Sequence, residues 1–151
     1  MKKKLLYIFF TVFILIQFIP VDLPVSSKDN PMDLLLNNKD IPKKVNDILR
    51  NSCYDCHSNE TYYPWYSNIS PSSILVARDT REGRSELNFS NWENLSRIEK
   101  IGALEDIVSA ITLEEMPMPI YTLIHRNAVL NDEKREDLII WAEEFSDSLY
   151  D

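Results

Sequence analysis

Cys53-Tyr54-Asp55-Cys56-His57 is the stretch whose reading decides the fold. Two thiols three positions apart on a helical turn project to the same side. Each can form a thioether with one vinyl group of a single porphyrin. The histidine that follows can then swing beneath the ring and ligate the iron. This spacing is a signature of covalent haem attachment. Cys53 and Cys56 are therefore the expected attachment points of one haem c, and His57 is the expected proximal iron ligand. The second ring N–H of His57 should be held by a backbone carbonyl, which fixes the ring plane. Other readings fit less well. A thioredoxin-like dithiol needs a βαβ setting that the pattern lacks. A structural zinc needs four ligands, and the second histidine, His125, lies far along the chain. A short-loop disulfide leaves the histidine without a role.

Outward from the motif the chain reads as helical. Val45, Ile48, Leu49 and Cys53 fall on one face, so a helix over Pro42–Ser52 leads into the motif. Asp40 is its candidate cap, and Pro42 suits the first turn. Residues 58–70 read as a loop with a knot of aromatics (Tyr62, Tyr63, Trp65 and Tyr66) around Pro64. Ser70-Pro71 opens a short helix expected to end at Ala77, before the polar run Asp79–Phe89 with its Gly83. A further helix starts in the Ser90–Ser96 region and reaches Leu113. Ser90 with Glu93, and Ser96 with Glu99, are alternative capping boxes. Its buried stripe is Ile101, Leu104, Ile107, Val108 and Ile111. Met116-Pro117-Met118-Pro119 should be irregular, because each proline removes a donor and biases its predecessor to extended geometry. Asn131 caps the last helix, with Asp132 and Glu133 at the positive end of its dipole. Leu138, Trp141, Ala142, Phe145 and Leu149 form its apolar face. Only two glycines occur in 151 residues, which disfavours a hairpin-rich β architecture. The expected fold is all-α: a small cytochrome c-like domain around one covalent haem, with first and last helices packed together.

At the other end, Lys2-Lys3-Lys4 precedes an almost wholly apolar run, Leu5–Ile19. This is the pattern of an export signal. No A-x-A cleavage site follows and no cysteine ends the run, so an uncleaved anchor is expected rather than a lipoprotein. The lysines would lie in the cytoplasm and the remainder outside. The expected organisation is a signal or anchor segment at 1–20, a spacer at 21–40 and the haem domain at 41–151. The expected address is periplasmic or extracytoplasmic, where covalent haem attachment takes place. Net charge is −8, and the chain beyond residue 25 holds 13 basic against 23 acidic residues, or −10. Nucleic acid is thus an unsuitable partner.

The iron needs a sixth ligand or an open position. Met116, Met118, Met32 and His125 are the candidates. A thioether favours Fe(II) and raises the potential. The proline-stiffened loop could present Met116 or Met118, and spacing does not separate them.

Several blocks together resemble the haem-binding domain family of small exported bacterial proteins with this motif. They are Cys53–Asn59, Tyr63–Ile69, Glu82-Gly83-Arg84 with Leu87–Ser90, Glu115-Met116-Pro117, and Tyr121–His125. The resemblance spans about residues 41–145. It implies a monohaem c-type domain with Cys53, Cys56 and His57 in the roles given above. Its Met-Pro element maps onto Met116, favouring that residue over Met118. The family usually carries a histidine where this chain has Asp79. Trp65 or Tyr66 could pack on the macrocycle or bond a propionate, and Arg84 could pair with a propionate.

A haem with both axial positions filled moves single electrons, so the first functional expectation is an electron carrier serving redox partner proteins, not an enzyme. An open sixth position would instead suit a peroxidase or a gas or redox sensor. A third possibility is a module in which haem mainly organises the fold.

Overall fold

The computed structural model describes residues 2–150, and among these every regular element is helical. The α-helices are α1 (Lys2–Ile16), α2 (Leu34–Asn37), α3 (Lys43–Ser52), α4 (Tyr54–His57), α5 (Ser72–Glu86), α6 (Arg97–Thr112), α7 (Pro119–Ile124) and α8 (Asp132–Ser148). Short 3-10 turns cover Trp65–Asn68, Phe89–Asn94 and Arg126–Ala128. Helices α6 and α8 form the principal packed pair, and α3 lies against α8. First and last domain helices thus meet as expected. Leu104 and Ile111 from α6, Leu138, Trp141 and Ala142 from α8, and Val45, Ile48 and Leu49 from α3 share one buried cluster. Phe89 and Trp92 fill its centre, at 1% and 0% exposure.

The end-signals of two helices behave as read. Asn131 accepts from the Lys134 N–H at 2.9 Å and starts α8. Ser96 and Glu99 form the reciprocal box at the start of α6, and those bonds hold the Glu99 carboxyl below its usual range. The rival pair is engaged elsewhere. The Ser90 hydroxyl is buried against Asp33 and the Asn59 N–H, while Glu93 turns to Lys100 and Asn38.

Four expectations need correction. First, α5 does not stop at Ala77 but continues through the polar stretch to Glu86. Its buried stripe is Ser73, Ala77, Thr80 and Gly83. These are small rather than apolar side chains, so hydrophobic periodicity does not reveal them. Second, Pro42 occupies the N-cap position of α3, and no side chain caps that helix. Third, Pro119 is the first residue of the unanticipated helix α7, where its missing N–H costs nothing.

Fourth, residues 21–40 are not a loose spacer. Leu34 and Leu35 belong to the core, and Asp33 is buried. The preceding strap is pinned to the loop after the motif. Ser27 N–H donates to the Asn59 carbonyl at 2.7 Å, and Tyr63 OH donates to the Pro24 carbonyl at 2.7 Å.

The N-terminal apolar run is helical, and turn-type bonds from Gln17, Phe18 and Ile19 extend its path. Among the described residues no helix is long and apolar enough to cross a membrane.

Candidate haem-attachment site

The site is made where α4 crosses α5. Cys53 closes α3 and precedes α4, so both thiols and His57 fall within a single helical turn. The thiols are half-buried and not bridged to each other. Burial pushes Cys53 up to about 12. Burial, aided by the charges of Asp55 and Asp79, pushes Cys56 up to about 11. Redox-active dithiols have depressed values, the opposite direction.

His57 Nδ1 lies 3.1 Å from the Leu87 carbonyl. A carbonyl only accepts, so Nδ1 carries the proton. Burial lowers the pKa of the ring below its ordinary 6.5, which keeps the imidazole neutral at neutral pH. A neutral ring protonated at Nδ1 leaves a lone pair on Nε2. That is the protonation state a metal-binding histidine requires.

The crossing of the two helices is fixed by Gly83. A Cβ on this residue would stand 2.8 Å from the Cys56 carbonyl oxygen and 3.2 Å from the Cys56 Cβ. Only a glycine lets α5 approach closely enough to offer the Leu87 carbonyl to His57. Asp79 lies one turn earlier on α5, its side chain 15% exposed and paired with Arg78 at 2.7 Å.

Around this crossing sits a polar frame. The Asn59 carbonyl accepts from the strap, its N–H donates to Ser90 Oγ at 2.9 Å, and its Oδ1 accepts from Asn88 Nδ2 at 3.0 Å. Arg84 donates to the Ser58 carbonyl, the Val25 carbonyl and Thr61 Oγ1, at 2.8–2.9 Å. Its guanidinium therefore holds protein groups together.

Sequence reasoning missed Asp33. Its Oδ1 accepts from the Leu35 and Leu36 N–H groups and from Tyr54 OH, the latter at 3.1 Å. An acidic residue before Leu34-Leu35-Leu36 was a capping signal that could have found it. Burial raises the Asp33 pKa above its ordinary 3.8. Between 3.8 and the raised value the native state binds more protons than the unfolded chain. Stability from this group is complete below 3.8 and is lost as pH rises through the folded value. Urea unfolding should therefore show the native chain losing stability relative to Asp33→Asn as pH climbs from acid to neutral. A pH-independent difference would contradict this sign.

The remaining candidates lie on the C-terminal side. Tyr121, on α7, donates to Asp55 Oδ2 at 2.7 Å. Tyr66 OH and His125 Nε2 are 2.5 Å apart, and His125 stacks on Tyr121 with centroids at 4.2 Å. These bonds tether the chain that follows the Met-Pro loop to the motif. Met116 is 36% exposed in that loop, and Met118 is the N-cap residue of α7. Met32 is exposed beside α2. Trp65 projects outward at 78% exposure.

An all-helical domain with two half-buried thiols on one turn, and a neutral histidine poised by a backbone carbonyl, defines a haem-binding protein. The chain belongs to the haem-binding domain family, whose model matches residues 11–144. No curated protein and no solved structure gives a significant match. The family match begins inside α1 and includes residues 21–40. The residues present fit the cofactor: the thiols can form covalent links, and His57 Nε2 is available to iron.

Proposed function

We propose that this chain is a monohaem c-type cytochrome domain that carries single electrons at the outer face of the cytoplasmic membrane, anchored there by residues 5–19. The observation that carries the reading is the His57 ring. Its Nδ1–H is committed to the Leu87 carbonyl, directly after two thiols on the same turn. Cys53 and Cys56 would hold the cofactor, and His57 and Met116 would ligate its iron. Haem, when bound, supplies an iron that cycles by one electron.

The protein's own residues do the rest. Leu87 and Gly83 orient the imidazole, and the Asn59–Asn88–Ser90 frame locks the loop after the motif. His125 is already engaged by Tyr66 and Tyr121, which supports a methionine rather than a second histidine as the further residue that would ligate the iron. Redox partner proteins on the outer side would donate or accept the electron.

The test is spectroscopic. The full chain, co-expressed with a c-type maturation system, should show the near-infrared band of a methionine-to-iron bond when oxidised. When reduced it should bind carbon monoxide poorly. A high-spin spectrum with ready carbon monoxide binding would favour a peroxidase or gas-sensing module with an open position.

A further inference from the structure

We propose that the segment Trp65–Leu75 rests in the headgroup layer of the bilayer that holds the N-terminal helix, clamped there by Gln17, so that the domain lies docked on lipid. The inference rests on the anchoring read in the proposed function.

The clamp has two bonds. Gln17 Nε2 donates to the Ser70 carbonyl at 2.9 Å, and Gln17 Oε1 accepts from the Ser70 N–H at 3.0 Å. Gln17 lies inside the apolar run Leu5–Ile19. Its amide would be costly at that depth without partners; the Phe13 carbonyl one turn back accepts from Nε2 at 2.9 Å, and Ser70 supplies a second acceptor and the donor to Oε1. Ser70 is thereby fixed at the level where the run ends.

Length adds a second argument. A helix over Leu5–Ile19 is about 22 Å long, against a hydrocarbon core of about 30 Å. Such a shortfall draws flanking groups toward the interface. The flanking group here is the surface around Ser70. Phe18 is 80% exposed and Ile19 50%, while Trp65, Ile74 and Ile69 on the domain are 78%, 42% and 37% exposed. Tryptophan favours the membrane–water boundary.

Charge gives the third argument. The chain is 26% charged, yet from Thr61 to Ala77 it carries no charged side chain. The other long uncharged stretch is the anchor itself, Leu5–Val21. The two meet at the Gln17–Ser70 pair. An acidic protein would be repelled by anionic headgroups, and an uncharged face is the one that can approach them.

The experiment uses the full haem-loaded chain in nanodiscs containing a phospholipid with a diazirine near the headgroup end of its acyl chain. Photolysis followed by peptide mass spectrometry should label both Leu5–Ile19 and Trp65–Leu75. It should spare Ile98 and Tyr150, which are 80% and 62% exposed elsewhere on the domain. In Gln17→Leu, labelling of 5–19 should persist and labelling of 65–75 should fall. Labelling confined to 5–19 in the native chain would overturn the docking and leave the anchor standing. Absence of label on 5–19 would overturn the anchor and the docking with it.

Discussion

Gly83→Ala will destabilise the domain, and Gly102→Ala will stabilise it. Both glycines lie inside helices, α5 and α6, and helix propensity alone favours alanine at each by about 1 kcal/mol. At Gly102 a new Cβ meets nothing within 4 Å, so the full gain should appear. At Gly83 the Cβ would stand 2.8 Å from a backbone oxygen and 3.1 Å from a backbone carbon of Cys56. Backbone atoms cannot swing aside, so α4 and α5 must separate. Overpacking of this kind costs roughly 1–3 kcal/mol and sometimes more, which outweighs the propensity gain. The separation also draws the Leu87 carbonyl away from His57, so haem incorporation should fall in the same variant. Urea midpoints of both variants, together with haem content per chain, measure the pair. Equal stabilisation by both substitutions would mean that α5 does not press on the motif.

Met116→Ala will remove the near-infrared methionine band, lower the reduction potential and open the iron to carbon monoxide, whereas Met118→Ala will leave all three close to native. The thioether is a soft ligand that favours the reduced iron, so its loss stabilises the oxidised state. Met118 is the N-cap residue of α7, but its side chain makes no capping bond, so its replacement should leave that helix in place. Tyr121 and His125 are both bonded to residues in or near the motif, which keeps the chain after the loop in place when either methionine is cut back. Loss of the band in Met118→Ala but not in Met116→Ala would exchange their roles.

What the sequence made legible follows from which interactions leave a periodic or positional trace. The apolar stripes of α6 and α8, the Ser96–Glu99 box and the Asn131 cap all do, and each appears in the structure. The motif itself announces Cys53, Cys56 and His57, and the carbonyl expected behind the imidazole is that of Leu87. Three features leave no such trace. The C-terminal half of α5 is buried through Thr80 and Gly83, and small residues carry no hydrophobic signal. The strap is held by backbone groups of Pro24, Val25 and Ser27, which any side chain could provide. Arg84 is spent on carbonyls and a hydroxyl of its own protein, a choice that composition does not distinguish from pairing with a cofactor carboxylate. The blocks behind the family resemblance gain a physical meaning here. Asn59, Gly83, Leu87 and Asn88 converge on His57 and the loop that follows it.

The central claim is that the turn Cys53–His57 holds haem by covalent bonds. The measurement that tests it most directly is the mass of the full chain after export alongside a c-type maturation system, taken under denaturing conditions that strip non-covalent cofactors. One haem should be added per chain, retained through denaturation and absent when Cys53 and Cys56 are both replaced by alanine. A chain of unmodified mass whose haem is released on denaturation would contradict it.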